Sequence, residues 1–264
     1  MMDKAQIARE LQTLGLAPRT WADALAAIKA RLAPADFEKF SRAHKNFVGY
    51  RSDTTLSRFY GSVFALGVQA EVNGYRFARL VQVLEDLLPE VPPDASVLEV
   101  GAGAGYIATL IQRHCAPRSY IVYDTCAAAR DELTAQGFTT LPHPPPSLPV
   151  APWITDGKGF ELILCVDSLG EINSDDDGLL SRSDGATPEE LPELMEQRYG
   201  FGQKLAAWRP WLAPGGRILL WEPFAYPGAM EAVAAYLAGN GWQARVASRS
   251  PGRNYLEIRL NAPA

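Results

Sequence analysis

The stretch Val97-Leu98-Glu99-Val100-Gly101-Ala102-Gly103-Ala104-Gly105-Tyr106 decides the fold. An apolar run that ends in an acid and then carries glycine at every second position reads as a buried strand stopping at a ligand. Glycine lacks a Cβ, so Gly101, Gly103 and Gly105 can take positive φ and let a ligand touch the main chain. The helix that follows offers free backbone N–H groups. A purely structural strand-to-helix turn rarely needs three such residues, so the loop predicts a contact surface for a nucleotide-like molecule.

The spacing narrows the choice. A dinucleotide fingerprint, G-x-G-x-x-G, requires its last glycine at Tyr106 when counted from Gly101 and at Ala108 when counted from Gly103. Both registers fail, which disfavours a nicotinamide-dependent oxidoreductase. The acid placed two residues before G-x-G-x-G, matched at Glu99, Gly101, Gly103 and Gly105, instead resembles the first motif of the class I S-adenosylmethionine-dependent methyltransferases. The resemblance implies S-adenosylmethionine as cofactor, with the loop, Ala102 included, against its methionine part.

Three further landmarks follow in the family's order. Ser119 to Asp124 reads as a second buried parallel strand whose closing carboxylate stands where ribose hydroxyls are bound, with Thr125 beside it. Phe160 to Glu171 is an apolar strand running into a polar turn, similar to the family's fourth-strand motif. That likeness implies Asp167 and Ser168 close to the transferred methyl group. Trp211 to Glu222 resembles the L-x-P-G-G turn before the fifth strand, where Pro214, Gly215 and Gly216 end a helix and start a strand. The segments 119–124 and 167–171 look closest to a sugar O-methyltransferase-like branch.

The expected architecture is α/β, a Rossmann-like seven-stranded doubly wound sheet with an N-terminal α-helical cap. Residues 1–92 form the cap and residues 93–264 the S-adenosylmethionine-binding methyltransferase domain. In the cap, Ile7, Leu11 and Leu14, then Trp21, Leu25, Ile28 and Leu32, then Phe37, Phe40 and Phe47 recur at helical spacing. Leu56 to Phe64 and Tyr75 to Leu87 add two helices that stop at Pro89 and the Pro92-Pro93 pair. The proline-rich run from Leu141 to Pro152, which includes His143 and precedes Trp153, is a stiff connection between the third and fourth strands. Thr187-Pro188-Glu189-Glu190 reads as the start of a helix through Leu194, Tyr199, Leu205 and Trp208. Gly228 to Ala238 reads as a helix, and Trp242 to Ala247 with Tyr255 to Leu260 as a closing antiparallel hairpin.

Methyl transfer requires in-line alignment, exclusion of water and, for a hydroxyl acceptor, removal of a proton. Asp167, Glu171 and Glu222 follow the fourth and fifth strands and are the candidate bases, each with a competing role as cofactor contact or helix cap. Arg51 and Arg76 lie in the polar clusters Tyr50 to Asp53 and Asn73 to Arg76, read as breaks between helices. Their guanidinium forks suit a cofactor carboxylate, and Arg76 is the chosen candidate. The loop after the fourth strand lacks the acid-Pro-Pro-aromatic motif of enzymes that methylate the amino groups of bases. The expected reaction is therefore methylation of a small-molecule acceptor, an O-methylation by preference. A catalytically inactive S-adenosylmethionine-binding protein with a regulatory or assembly role is the alternative.

A formal net charge of -5 without a dense Lys/Arg cluster disfavours nucleic acid as a partner. The 47% hydrophobic content suffices for a sizeable core, yet no run is long enough to span a bilayer, so no membrane partner is expected. Three cysteines without metal-type pairing suit a reducing compartment, and a cytoplasmic location is expected. Asn173 to Asp184 spaces oxygen ligands like a calcium loop. However, Asn replaces the first Asp and Asp replaces the bidentate Glu, so no metal is expected. The Phe- and Trp-rich helices offer surface for a homodimer.

Overall fold

The structure is a computed structural model and describes residues 2–50, 53–142, 157–166, 190, 193, 196, 201–221, 228–250 and 253–260. The chain divides into two compact units, one of residues 1–93, 102–117 and 122–143, the other of residues 94–101, 118–121 and 144–264.

The first unit carries helices α1 (Lys4–Thr13), α2 (Trp21–Arg31), α3 (Pro34–Tyr50), α4 (Asp53–Ala65), α5 (Gln69–Tyr75), α6 (Phe77–Leu87), α7 (Tyr106–Cys115) and α8 (Ala127–Ala135). Reciprocal capping boxes start the first two helices. Asp3 accepts from the Gln6 backbone while the Gln6 side chain covers the Asp3 N–H, and Thr20 and Asp23 do the same for α2. Apolar side chains from α2, α3, α4 and α5, among them Ile28, Phe40, Phe59, Val63 and Val72, form one buried cluster. Phe47 stacks on Phe59 with ring centroids 5.2 Å apart.

One expectation in this region needs correction. The apolar period from Tyr75 to Leu87 suggested a single helix, but α5 and α6 meet at Arg76 (φ -93°, ψ 7°) and Tyr75 is 57% exposed. Asn73, Gly74 and Tyr75 thus belong to α5, and only Arg76 stands between helices. Gly74 is there for packing, since a Cβ would come within 2.5 Å of the Ala17 carbonyl oxygen.

The strands β1 (Ser96–Val100), β2 (Ser119–Tyr123), β3 (Thr139–Thr140), β4 (Phe160–Val166), β5 (Leu212–Trp221), β6 (Trp242–Ser250) and β7 (Arg253–Leu260) build one seven-stranded sheet in the order β3-β2-β1-β4-β5-β7-β6. Strands β1, β4 and β5 pair in parallel, while β7 runs antiparallel to both β5 and β6. This is the expected doubly wound sheet with its closing hairpin. Every residue of β1 is buried, as a central parallel strand requires. The second unit also carries helices α9 (Phe201–Trp208) and α10 (Ala229–Gly239).

The Pro-Gly-Gly turn lies inside β5 rather than ahead of it. Phe160 pairs with Leu212 and Leu162 with Arg217, so the intervening residues of β5 bulge out of the ladder. The sites are closely packed: a Cβ on Gly216 would come within 2.7 Å of the Phe160 oxygen, and one on Gly159 within 2.8 Å of both Ala213 N and Trp211 O. On the hairpin, Glu257 is 2% exposed and pairs with Arg217 at 3.5 Å, Arg259 at 2.7 Å and Arg245. Burial pushes its carboxyl up, but the Arg259 hydrogen bonds and the charges of Arg245, Arg259 and Arg217 outweigh this and hold it below the usual carboxylate range. All three cysteines are free thiols. Among the described residues no helix is long and apolar enough to cross a membrane.

Candidate cofactor and active site

Gly101, Gly103 and Gly105 take φ values of 76°, 55° and 76°, the left-handed conformation expected from their spacing. Their environments differ. A Cβ on Gly103 would meet nothing within 4 Å, whereas one on Gly105 would stand 2.8 Å from Gln136 Oε1 and 2.9 Å from Leu133 Cδ2. Open space therefore borders Gly103, while Gly105 also serves the packing of α8 against the start of α7. Gly105 is the N-cap of α7, with no side chain to occupy the helix's first N–H groups.

Asp124 closes β2 and is 9% exposed. Its Oδ2 accepts the Gly103 N–H at 2.9 Å and its Oδ1 the Cys126 N–H at 2.8 Å. The second contact is an Asx-type turn that leads into α8, whose N-cap is Cys126. The Ala102 N–H donates to the Tyr123 carbonyl at 3.4 Å. The structure thus joins Gly103 and Asp124, two residues chosen from separate motifs. Thr125 is exposed, and Arg130 Nη1 donates to the Asp124 carbonyl at 2.7 Å and the Thr125 carbonyl at 2.9 Å.

Glu99 lies in β1, 2% exposed, and its Oε2 accepts the Tyr120 hydroxyl at 2.6 Å. A buried carboxylate needs such a donor, and no motif pointed to Tyr120 beyond its place in β2. Arg76 is half-buried at the junction of α5 and α6. In the first unit, Ala104, Tyr106, Gln69, Gln136 and Glu132 border a cavity of about 720 Å³. Burial, with the charges of Glu71 and Glu132, pushes the Tyr106 phenol up to about 12, so it stays protonated at neutral pH rather than acting as a base.

Trp221 ends β5 opposite Val166, the last residue of β4. It is 2% exposed and stacks on Tyr255 at 4.4 Å, yet among the described residues its indole N–H has no hydrogen-bond partner. An aromatic residue closing an apolar strand was visible in the sequence, but the orphaned donor was not. Asp167, Ser168, Glu171 and Glu222 lie outside the described residues, as do Arg51, His143, Trp153 and the calcium-like segment 173–184.

Residues 72–249 match the model of a family described as a methyltransferase domain. The chain belongs to the class I S-adenosylmethionine-dependent methyltransferases. No curated protein matches the sequence of this methyltransferase. Solved structures with a similar fold include a ribosomal-protein methylase from Lactobacillus delbrueckii subsp. bulgaricus, 18% identical, covering 70% of this chain and 80% of that one at a TM-score of 0.40. The amino pentose methyltransferase CalS10 from Micromonospora echinaspora is 14% identical, with coverage of 70% and 91% and a TM-score of 0.42. The carbon methyltransferase CurJ is also 14% identical, with coverage of 97% and 89% and a TM-score of 0.42. The methyltransferase's own loop suits S-adenosylmethionine, because the left-handed Gly103 leaves space at its Cα and a nearly buried carboxylate is fixed against its N–H.

Proposed function

We propose that this methyltransferase acts on a hydroxyl of a small-molecule acceptor. The observation that carries the cofactor part of this reading is the Gly103 to Asp124 brace beside open space. The net charge of -5 supports a small acceptor over a polyanion. When bound, S-adenosylmethionine supplies a sulfonium methyl group.

The protein's part is to bind, align and take up a proton. Glu99, Gly101, Ala102, Gly103 and Gly105 face the amino-acid part of the cofactor, Asp124 and Thr125 the ribose, and Arg76 the carboxylate. Asp167 and Ser168 border the methyl group, and Asp167, Glu171 or Glu222 receives the acceptor proton. Residues 1–92 form a helical cap and residues 93–264 the cofactor-binding domain, in a cytoplasmic enzyme whose aromatic helices supply a homodimer contact.

Calorimetry with S-adenosylmethionine, S-adenosylhomocysteine and NAD tests the cofactor. Binding of NAD alone refutes the reading. A methyl-labelled cofactor offered with panels of hydroxylated, amino and carbon-acid small molecules, and with tRNA, tests the acceptor. Label in the hydroxylated set supports the proposal, and label confined to tRNA or amines overturns it.

A further inference from the structure

We propose that Arg130 is a positioning residue of the cofactor site, which orients Asp124 by clamping the two peptide units that follow β2. This rests on the assignment of Asp124 to the ribose made above. The geometry is specific: one guanidinium nitrogen, Nη1, donates to two successive carbonyls, those of Asp124 at 2.7 Å and Thr125 at 2.9 Å. Both are charge-assisted hydrogen bonds, stronger than neutral ones.

The Thr125 carbonyl and the Cys126 N–H belong to one planar peptide unit and point in opposite directions. Holding that carbonyl therefore fixes where the Cys126 N–H points, and it points at Asp124 Oδ1, 2.8 Å away. With Oδ1 pinned, Oδ2 meets the Gly103 N–H at 2.9 Å. The side chain is thereby held in one rotamer. Helix energetics do not account for the arginine. Arg130 lies in the first turn of α8, where the macrodipole disfavours a cation.

The test uses the full chain with S-adenosylhomocysteine and its 2′-deoxyribose analogue, measured by calorimetry, alongside thermal unfolding without ligand. Arg130→Met is expected to weaken S-adenosylhomocysteine about tenfold, the order of one lost charge-assisted contact. It is also expected to shrink the preference for the ribose over the deoxyribose ligand, a readout that a merely structural role would not move. Arg130→Lys, which keeps a cation on a shorter reach, recovers part of both. If Arg130→Met lowers only the thermal midpoint and keeps the preference, Arg130 is structural and the inference fails. Asp124→Asn separates the two readings. If it leaves both ligands unaffected, the ribose assignment falls. If it abolishes the preference while Arg130→Met and Arg130→Lys keep it, the ribose assignment stands and the clamp is refuted.

Discussion

Glycines after β1 and glycines around β4 and β5 differ in what requires them. In the loop after β1, Gly103 borders open space and its N–H is held by the Asp124 carboxylate. In the bulge of β5 and the turn before β4, Gly216 and Gly159 are pressed by backbone atoms at 2.7 and 2.8 Å. Gly103 keeps room for something outside the chain, and Gly216 and Gly159 have none to spare. Substitution should therefore damage binding at the first and folding at the other two.

The largest expected effect is Gly159→Ala, which meets fixed backbone and a φ of 81° at once. It should cost about 3 kcal/mol or more, read by urea unfolding. Gly103→Arg should instead abolish S-adenosylhomocysteine binding in calorimetry while lowering stability by only about 1–2 kcal/mol, the strain of a side chain at positive φ. A variant that unfolds as fully as Gly159→Ala would erase the contrast.

Glu257→Gln sharpens it in a region without glycine, since three arginines would lose their shared partner. The expected loss is about 2–3 kcal/mol at neutral pH. Because the folded carboxyl sits below its ordinary value of 4.5, its contribution is present above that pH and fades as pH falls through the folded value. The variant's stability should accordingly vary less below about pH 5 than that of the parent. The smallest effect is expected at Trp221→Phe. Removing a buried N–H that has no partner among the described residues should leave unfolding within about 1 kcal/mol of the parent. A larger loss would mean that the indole packs better than phenyl can replace.

The glycine loop, the acid after β2 and the closing hairpin were legible because each depends on spacing within a short window. The PGG position was not, because the bulge is defined by what β4 places opposite it. The break at Arg76 was hidden by apolar residues that keep their helical period across it. The contact that joins Gly103 to Asp124 spans two motifs, and sequence placed both at the cofactor without showing that they touch. Arg130 carried no motif at all, as its role depends on a nitrogen within reach of two carbonyls.

Gly105 leaves so little clearance at Leu133 and Gln136 that the end of α8 works as a wedge behind the loop. Thinning the wedge with Leu133→Ala, far along the chain from the glycines, offers an indirect handle on how tightly the enzyme grips its methyl donor.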